Sequence, residues 1–369
     1  MNQLFRWDQM GLFLLALAAG ILPFAVPEVC AAALREGLTL CSGPLLLSLF
    51  PFLVVSRLLI QCPESDLLAL PFRLAAWGIG IRTPCAARVL CIGFLGGFAP
   101  AASAAAQAVR TGQLTAEEAD ALLPACICSG PSFVVLTVGQ SLLGSAELGV
   151  LLFASQITAN YLTAALLNRF AGVRSVKPGS AAPASPAPPR LDEILADAAI
   201  TYCKLCGFIL FFRMLAAGAG ALLPAGAGTL CSVLLEVCSG CDLASRTGRW
   251  GSLLCCAALS VQGLSVLLQV RTICPPEMTL RPLYRSRLLH LPLSLALFYL
   301  LLPGGEADVF STLPARVLLM RRVPPDCALL VFAVCCMAAC TLRSGIRQVE
   351  QKQIARNAGG CCINSKTLL

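Results

Sequence analysis

Residues 88–110 read RVLCIGFLGGFAPAASAAAQAVR, a run with an arginine at each end and no charge between them. It is apolar enough to sit in lipid, yet Gly93, Gly96, Gly97 and Pro100 interrupt it in the middle. A bilayer offers backbone groups no hydrogen-bonding partner. Non-helical backbone at membrane depth must therefore be buried in protein or line a watery cavity. A broken apolar segment is thus the first hint of a site. Three more follow: Ser129-Gly130-Pro131, the stretch 235–241 (LEVCSGC), and the stretch 261–265 (VQGLS). Short or Gly/Pro-broken membrane segments at matched places in two halves of a chain point to a transporter's binding site. Kinks and close helix packing are the plainer reading of any one of them. Two matched pairs favour a site.

Composition agrees. The chain has 369 residues, 57% of them hydrophobic and 12% charged, with a mean hydropathy of +0.81. Soluble domains carry about twice that charge, so the sequence predicts an all-α polytopic membrane protein. The formal net charge is +8. The basic residues fall between apolar runs and in the C-terminal tail, which is the pattern that orients membrane proteins rather than one that grips nucleic acid. Twenty-one cysteines raise the question of zinc or disulfides. Most lie inside apolar runs, where Cys acts as a small hydrophobe. His290 is the single histidine, so no metal site or other cofactor is expected.

Apolar windows place helices at about Met10–Val26 (an uncleaved first helix rather than a removable signal), Leu38–Ile60, Leu148–Leu167, Leu205–Leu223, Leu288–Leu302 and Cys327–Leu342. The broken segments lie between them. Thr115-Ala-Glu-Glu118 has the capping-box pattern that starts a helix. Leu191–Ala199 reads as an amphipathic lead-in. Residues 171–190, rich in Pro, Ala and Ser, read as an extended linker. The expected organisation is a first membrane repeat with an N-terminal helix over 1–170, the linker over 171–190, a second repeat over 191–342, and a basic cytosolic tail over 343–369.

Glu236 is the leading candidate residue. An intramembrane carboxylate is costly unless paired, so it is expected to bind a coupling ion (H⁺ or Na⁺) or to cap a half-helix. Arg213 lies in an apolar run and could fork onto a carboxylate of an anionic substrate. Arg57, nearer a helix end, is read as snorkelling. Gln262 and Gln269, seven apart, are read as sharing a helix face. No nucleophile–base set, P-loop or dinucleotide fingerprint is present. No enzyme is expected, and energy would have to come from an ion gradient or a partner.

The same segments carry a family likeness. Gly93-Phe-Leu-Gly-Gly-Phe98, Gln107, the stretch 112–119 (GQLTAEEA), Ser129-Gly-Pro131, Leu235-Glu236-Val-Cys-Ser-Gly240, Gly263-Leu-Ser265 with Gln269, and Arg287-Leu-Leu-His290 together resemble the nucleoside-recognition, or gate-domain, membrane family. The likeness is to its YlbJ-like sporulation branch, and it runs from about Leu38 to Leu302. It implies a fold related to concentrative nucleoside transporters, with two inverted-topology repeats and re-entrant hairpins. It also implies a multi-pass protein of the outer forespore membrane that moves dipicolinic acid, a flat dianion, during endospore formation. The substrate-binding set expected from breaks and likeness together is Gly96, Gly97, Ser103, Ser129, Gly130, Pro131, Arg213, Glu236, Ser239, Gly240, Gln262, Gly263, Ser265 and Gln269. Expected partners are the bilayer and a small anionic solute; the sequence fixes no oligomeric state. Ser103, Ile127 and Leu267 stand where the family pattern is more polar. That favours the alternative expectation, a non-transporting scaffold for spore-envelope assembly.

Overall fold

The computed structural model describes residues 2–172 and 191–302. Most of the expected linker, the Cys327–Leu342 span and the basic tail lie outside the described residues. Every regular element within them is helical. By length and composition three stretches can cross a membrane: Ala146–Ala171, Leu191–Leu222 and Gly248–Ile273. A fourth is added if Phe13–Ala25 and Pro27–Ser42, bent by 110° at their junction, count as one. Large apolar side chains face outward, with Phe24 89%, Phe170 81% and Leu288 79% exposed. The chain is a helical membrane protein, and lipid takes the place of water around it.

The helices of the first half are α1 (Asn2–Ala25), α2 (Pro27–Ser42), α3 (Pro44–Gln61), α4 (Leu70–Gly78), α5 (Pro84–Gly96), α6 (Phe98–Arg110), α7 (Ala116–Cys126), a π-helix (Ser132–Leu142) and α8 (Ala146–Ala171). The expected span from Leu38 to Ile60 is in fact two helices. Pro44 has no N–H to donate and drives the residue before it out of the helical region, so Gly43 ends α2 at φ −113°, ψ −103°. The capping box forms as the sequence predicts: Thr115 accepts from the Glu118 backbone N–H, and Glu118 accepts from that of Thr115. The π-helix fits against α8 through Gly139 and Gly149; a Cβ on Gly139 would stand 2.4 Å from the Gly149 Cα.

The second half comprises α9 (Leu191–Leu222), α10 (Ala225–Leu235), α11 (Val237–Ser245), α12 (Gly251–Val261), α13 (Gly263–Ile273) and α14 (Arg281–Leu301). The expected lead-in and span around Ala199–Leu205 are one continuous helix, α9, because no proline falls within it. The halves interlock. Helices α2 and α3 lie against α9, α8 against α14, and α6 against α13. One apolar core draws Leu122 and Leu152 from the first half, and Leu259 and Phe298 from the second.

Two kinds of break position the candidate site. α5 and α6 fold back on each other across Gly97, and α10 and α11 do so across Glu236, so each pair is a hairpin. α12 and α13 instead make up one stretch of spanning length, 248–273, interrupted at Gln262. α7 is likewise followed after a break over residues 127–131 by the π-helix.

Candidate functional site

All four breaks meet. Gly97 has φ +80°, a region that costs a side chain strain. A Cβ there would lie 2.6 Å from the Gly130 backbone N, so the hairpin tip of the first half rests directly on the backbone of the second break. Gly263, at φ +68°, holds the equivalent contact in the second half; a Cβ on it would lie 3.0 Å from the Glu236 backbone N. The two junctions are then joined to each other. Gln262 Nε2 donates to the Ile127 carbonyl at 3.0 Å, and Asn160 Nδ2 donates to the same oxygen at 3.2 Å. The break after α7 leaves that carbonyl without a helical partner, and in lipid it must be satisfied from within the protein.

Glu236 is 2% exposed. Its Oε1 accepts from the Cys238 backbone N–H at 2.8 Å, and its Oε2 from that of Ser239 at 2.7 Å. The carboxylate thus caps α11, where the free N–H groups and the positive end of the helix dipole favour an anion. It faces a cavity of about 70 Å³ that is also lined by Gly96, Ser129, Gly130, Phe133 and Gln269. That volume holds a few water-sized groups.

The remaining sequence-predicted residues divide. Ser265 accepts from Gln269 Nε2 at 2.9 Å, beside this cavity. Pro131 stands at the N-terminus of the π-helix and is not part of the lining. Ser239 contributes its backbone N–H to the cap. Gly240 lies away from the meeting point; a Cβ there would sit 2.8 Å from the Val233 Cα, so its role is to close the α10–α11 hairpin. Gln262 and Gln269 do not share a continuous helix face, because Gln262 takes a left-handed conformation (φ 63°) at the interruption and α13 begins after it. Arg213 pairs with Glu36 at 2.8 Å and does not line the cavity, although it lies close enough to Glu236 to interact with it electrostatically. Ser103 lies elsewhere, bonded at 3.2 Å to Arg57 Nε. Arg57 itself is 7% exposed and forms an ion pair with Asp197 at 2.6 Å. Its partner comes from α9, so it is tied within the protein rather than left alone at a helix end.

Several working residues escaped the sequence reading. Gln156 and Asn160, four apart on α8, put a polar stripe on a span that looked uniformly apolar. Asn160 also accepts from Arg287 Nη2 at 3.2 Å, and Gln156 Nε2 reaches Ser260 Oγ at 2.9 Å. His290 donates to the Gln156 carbonyl at 3.2 Å. Spacing of i, i+4 between amides in an apolar helix was the available signal. Asp120 on α7 accepts from the backbone N–H of Thr279 at 2.8 Å and of Leu280 at 3.1 Å, fixing the approach to α14.

No protein-family model matches the chain, and neither a curated protein nor a solved structure matches it.

Proposed function

We propose that the chain is a membrane solute carrier, built as two inverted repeats, that moves a small anionic solute through the meeting point of its four helix breaks. The observation that carries this reading is the bond from Gln262 to the Ile127 carbonyl. It ties a break of one half to a break of the other beside a cavity containing Glu236. The order of elements supports the repeat. α3 leads, through the extra helix α4, to a hairpin, a broken segment and α8; α9 leads directly to a hairpin, a broken segment and α14. Broken helices at a repeat interface are how carriers expose backbone groups to a solute without exposing them to lipid. The resemblance to gate-domain sporulation proteins supplies the cargo and the place: dipicolinic acid, crossing the outer forespore membrane, with H⁺ or Na⁺ as coupling ion.

One observation favours the alternative, a scaffold for spore-envelope assembly. Both Glu236 oxygens are already engaged by α11, so an ion or solute would compete with the cap. The two readings part in a spore-forming host that lacks its own gate-domain protein and is complemented with this chain. The carrier reading expects dipicolinate to be restored in the spores, and lost again with Gln262→Ala at normal protein abundance. Normal spore envelopes without dipicolinate would establish the scaffold.

A further inference from the structure

A second cavity, of about 150 Å³, lies where α3, α6, α9 and α13 meet. Its lining includes Arg57, Arg110, Lys204, Asp197, Ser103 and Gln269. Arg57 forms the floor, fixed by its ion pair with Asp197 and by donating from Nη2 to Thr201 Oγ1 at 3.1 Å. Arg110 and Lys204 are exposed at the rim and make no ion pair among the described residues. Three cations against one carboxylate leave two positive charges uncompensated in a recess. Low-dielectric walls strengthen such a field and draw anions toward it.

Gln269 connects this recess to the junction, since it lines both cavities. It is 2% exposed, and its Oε1 has no hydrogen-bond partner. Turning the amide over keeps the contact with Ser265, whose hydroxyl then donates to Oε1, and presents the amide N–H₂ to the cavities. A buried amide able to offer two donors without losing its anchor suits an anion that passes it.

We propose that this recess binds a small dianion, gripped by Arg110 and Lys204 at the rim above the acid-paired Arg57, and that it is the entry site from which an anionic solute reaches the junction past Gln269. The entry role rests on the carrier reading; the binding does not. A dianion matches the two uncompensated charges, and the planar Arg110 guanidinium can take a carboxylate through two parallel bonds.

The test uses the purified full chain in neutral detergent at fixed ionic strength. Thermal unfolding is titrated with isophthalate, a flat dicarboxylate, and with isophthalamide, its uncharged counterpart. Isophthalate should raise the unfolding temperature saturably, and isophthalamide should not. The Arg110→Gln/Lys204→Gln double variant should weaken the apparent affinity about tenfold or more. The charge-keeping Arg110→Lys/Lys204→Arg variant should retain binding. Binding is read in detergent with no transport involved, so isophthalate stabilisation in a chain that restores no dipicolinate would keep the recess and sink the carrier reading, and the two failures read out separately. Equal stabilisation by the diamide, or unchanged affinity in the double variant, overturns the proposal. So does stabilisation by phosphatidylglycerol with none by isophthalate, which would make the recess a lipid headgroup site.

Discussion

At the first-half junction the left-handed glycine, Gly97, belongs to the hairpin and presses on the broken segment; at the second, Gly263 belongs to the broken segment and presses on the hairpin. The contact is the same, a glycine Cα against a bare backbone, with its two sides exchanged. The junctions differ in chemistry as well. The first is built from backbone and uncharged side chains over Cys126–Ser129, whereas the second carries a carboxylate at Glu236 and an amide at Gln262. The first is therefore held by close backbone approach and by the bonds its Ile127 carbonyl receives from Gln262 and Asn160, whereas the second supplies polar side chains of its own. A side chain forced into the first should do more harm than one forced into the second, and polar substitutions should be felt mainly at the second.

The largest expected effect follows from that difference. Gly97→Ala would place a Cβ 2.6 Å from the Gly130 N and 2.9 Å from its Cα, both backbone atoms that no rotamer change can clear. The variant should fail to give monodisperse folded protein on size-exclusion chromatography. Gly112→Ala is the control, with a similar φ of +70° but nothing within 4 Å of the new Cβ. It carries the backbone strain alone, about 1 kcal/mol, and should fold. Gly263→Ala, at 3.0 Å from its nearest neighbours, should fall between the two. If Gly97→Ala unfolds no more readily than Gly112→Ala, the first junction is not held by close approach.

Glu236 comes next. Glu236→Ala leaves two partly buried N–H groups of α11 without acceptors, costing about 0.5–2 kcal/mol in all, as loss of an N-cap does. Glu236→Gln is not a neutral swap here. Its single amide oxygen can accept one of the two N–H groups, and its N–H₂ then faces the other donor. Thermal unfolding should rank the unaltered chain above Gln and Gln above Ala. If Gln unfolds with the unaltered chain, the carboxylate does not cap α11 in the way its two contacts show.

What was legible in the sequence, and what was not, divides along physical lines. The breaks at Gly97, around Ser129–Pro131, at Glu236 and at Gln262 could be placed to within a few residues, because Gly, Pro and a lone acid in an apolar run act on their own neighbourhood. The Thr115–Glu118 cap was readable for the same reason. The partners of Arg57, Asp197 and Thr201, could not be read because they lie in the other half of the chain. Nothing near Arg213 in sequence announces its partner Glu36. The crossing bond was out of reach on both sides: the acceptor is the backbone of an isoleucine, and the donor adopts a left-handed conformation that glutamine rarely takes.

The smallest effect on stability, and the sharpest on function, is expected at Gln262. Its backbone is held at φ 63°, which costs a non-glycine residue about 1 kcal/mol or more, while its Nε2 donates to the Ile127 carbonyl. Gln262→Ala keeps the strain and loses the bond. The carbonyl retains its bond from Asn160, so the loss should be about 1 kcal/mol rather than the full cost of an orphaned group. Gln262→Gly loses the same bond but relieves the strain, and the two changes should nearly cancel. The Gly variant should therefore unfold close to the unaltered chain and about 1 kcal/mol above the Ala variant. That makes it the cleaner probe of function, because the fold is left standing while the tie between the halves is cut. On the carrier reading both variants should lose transport to a similar degree, although only one is destabilised. Transport that tracks stability across the pair, intact in Gly and impaired in Ala, would mean that the crossing bond holds the fold together and takes no part in moving a solute.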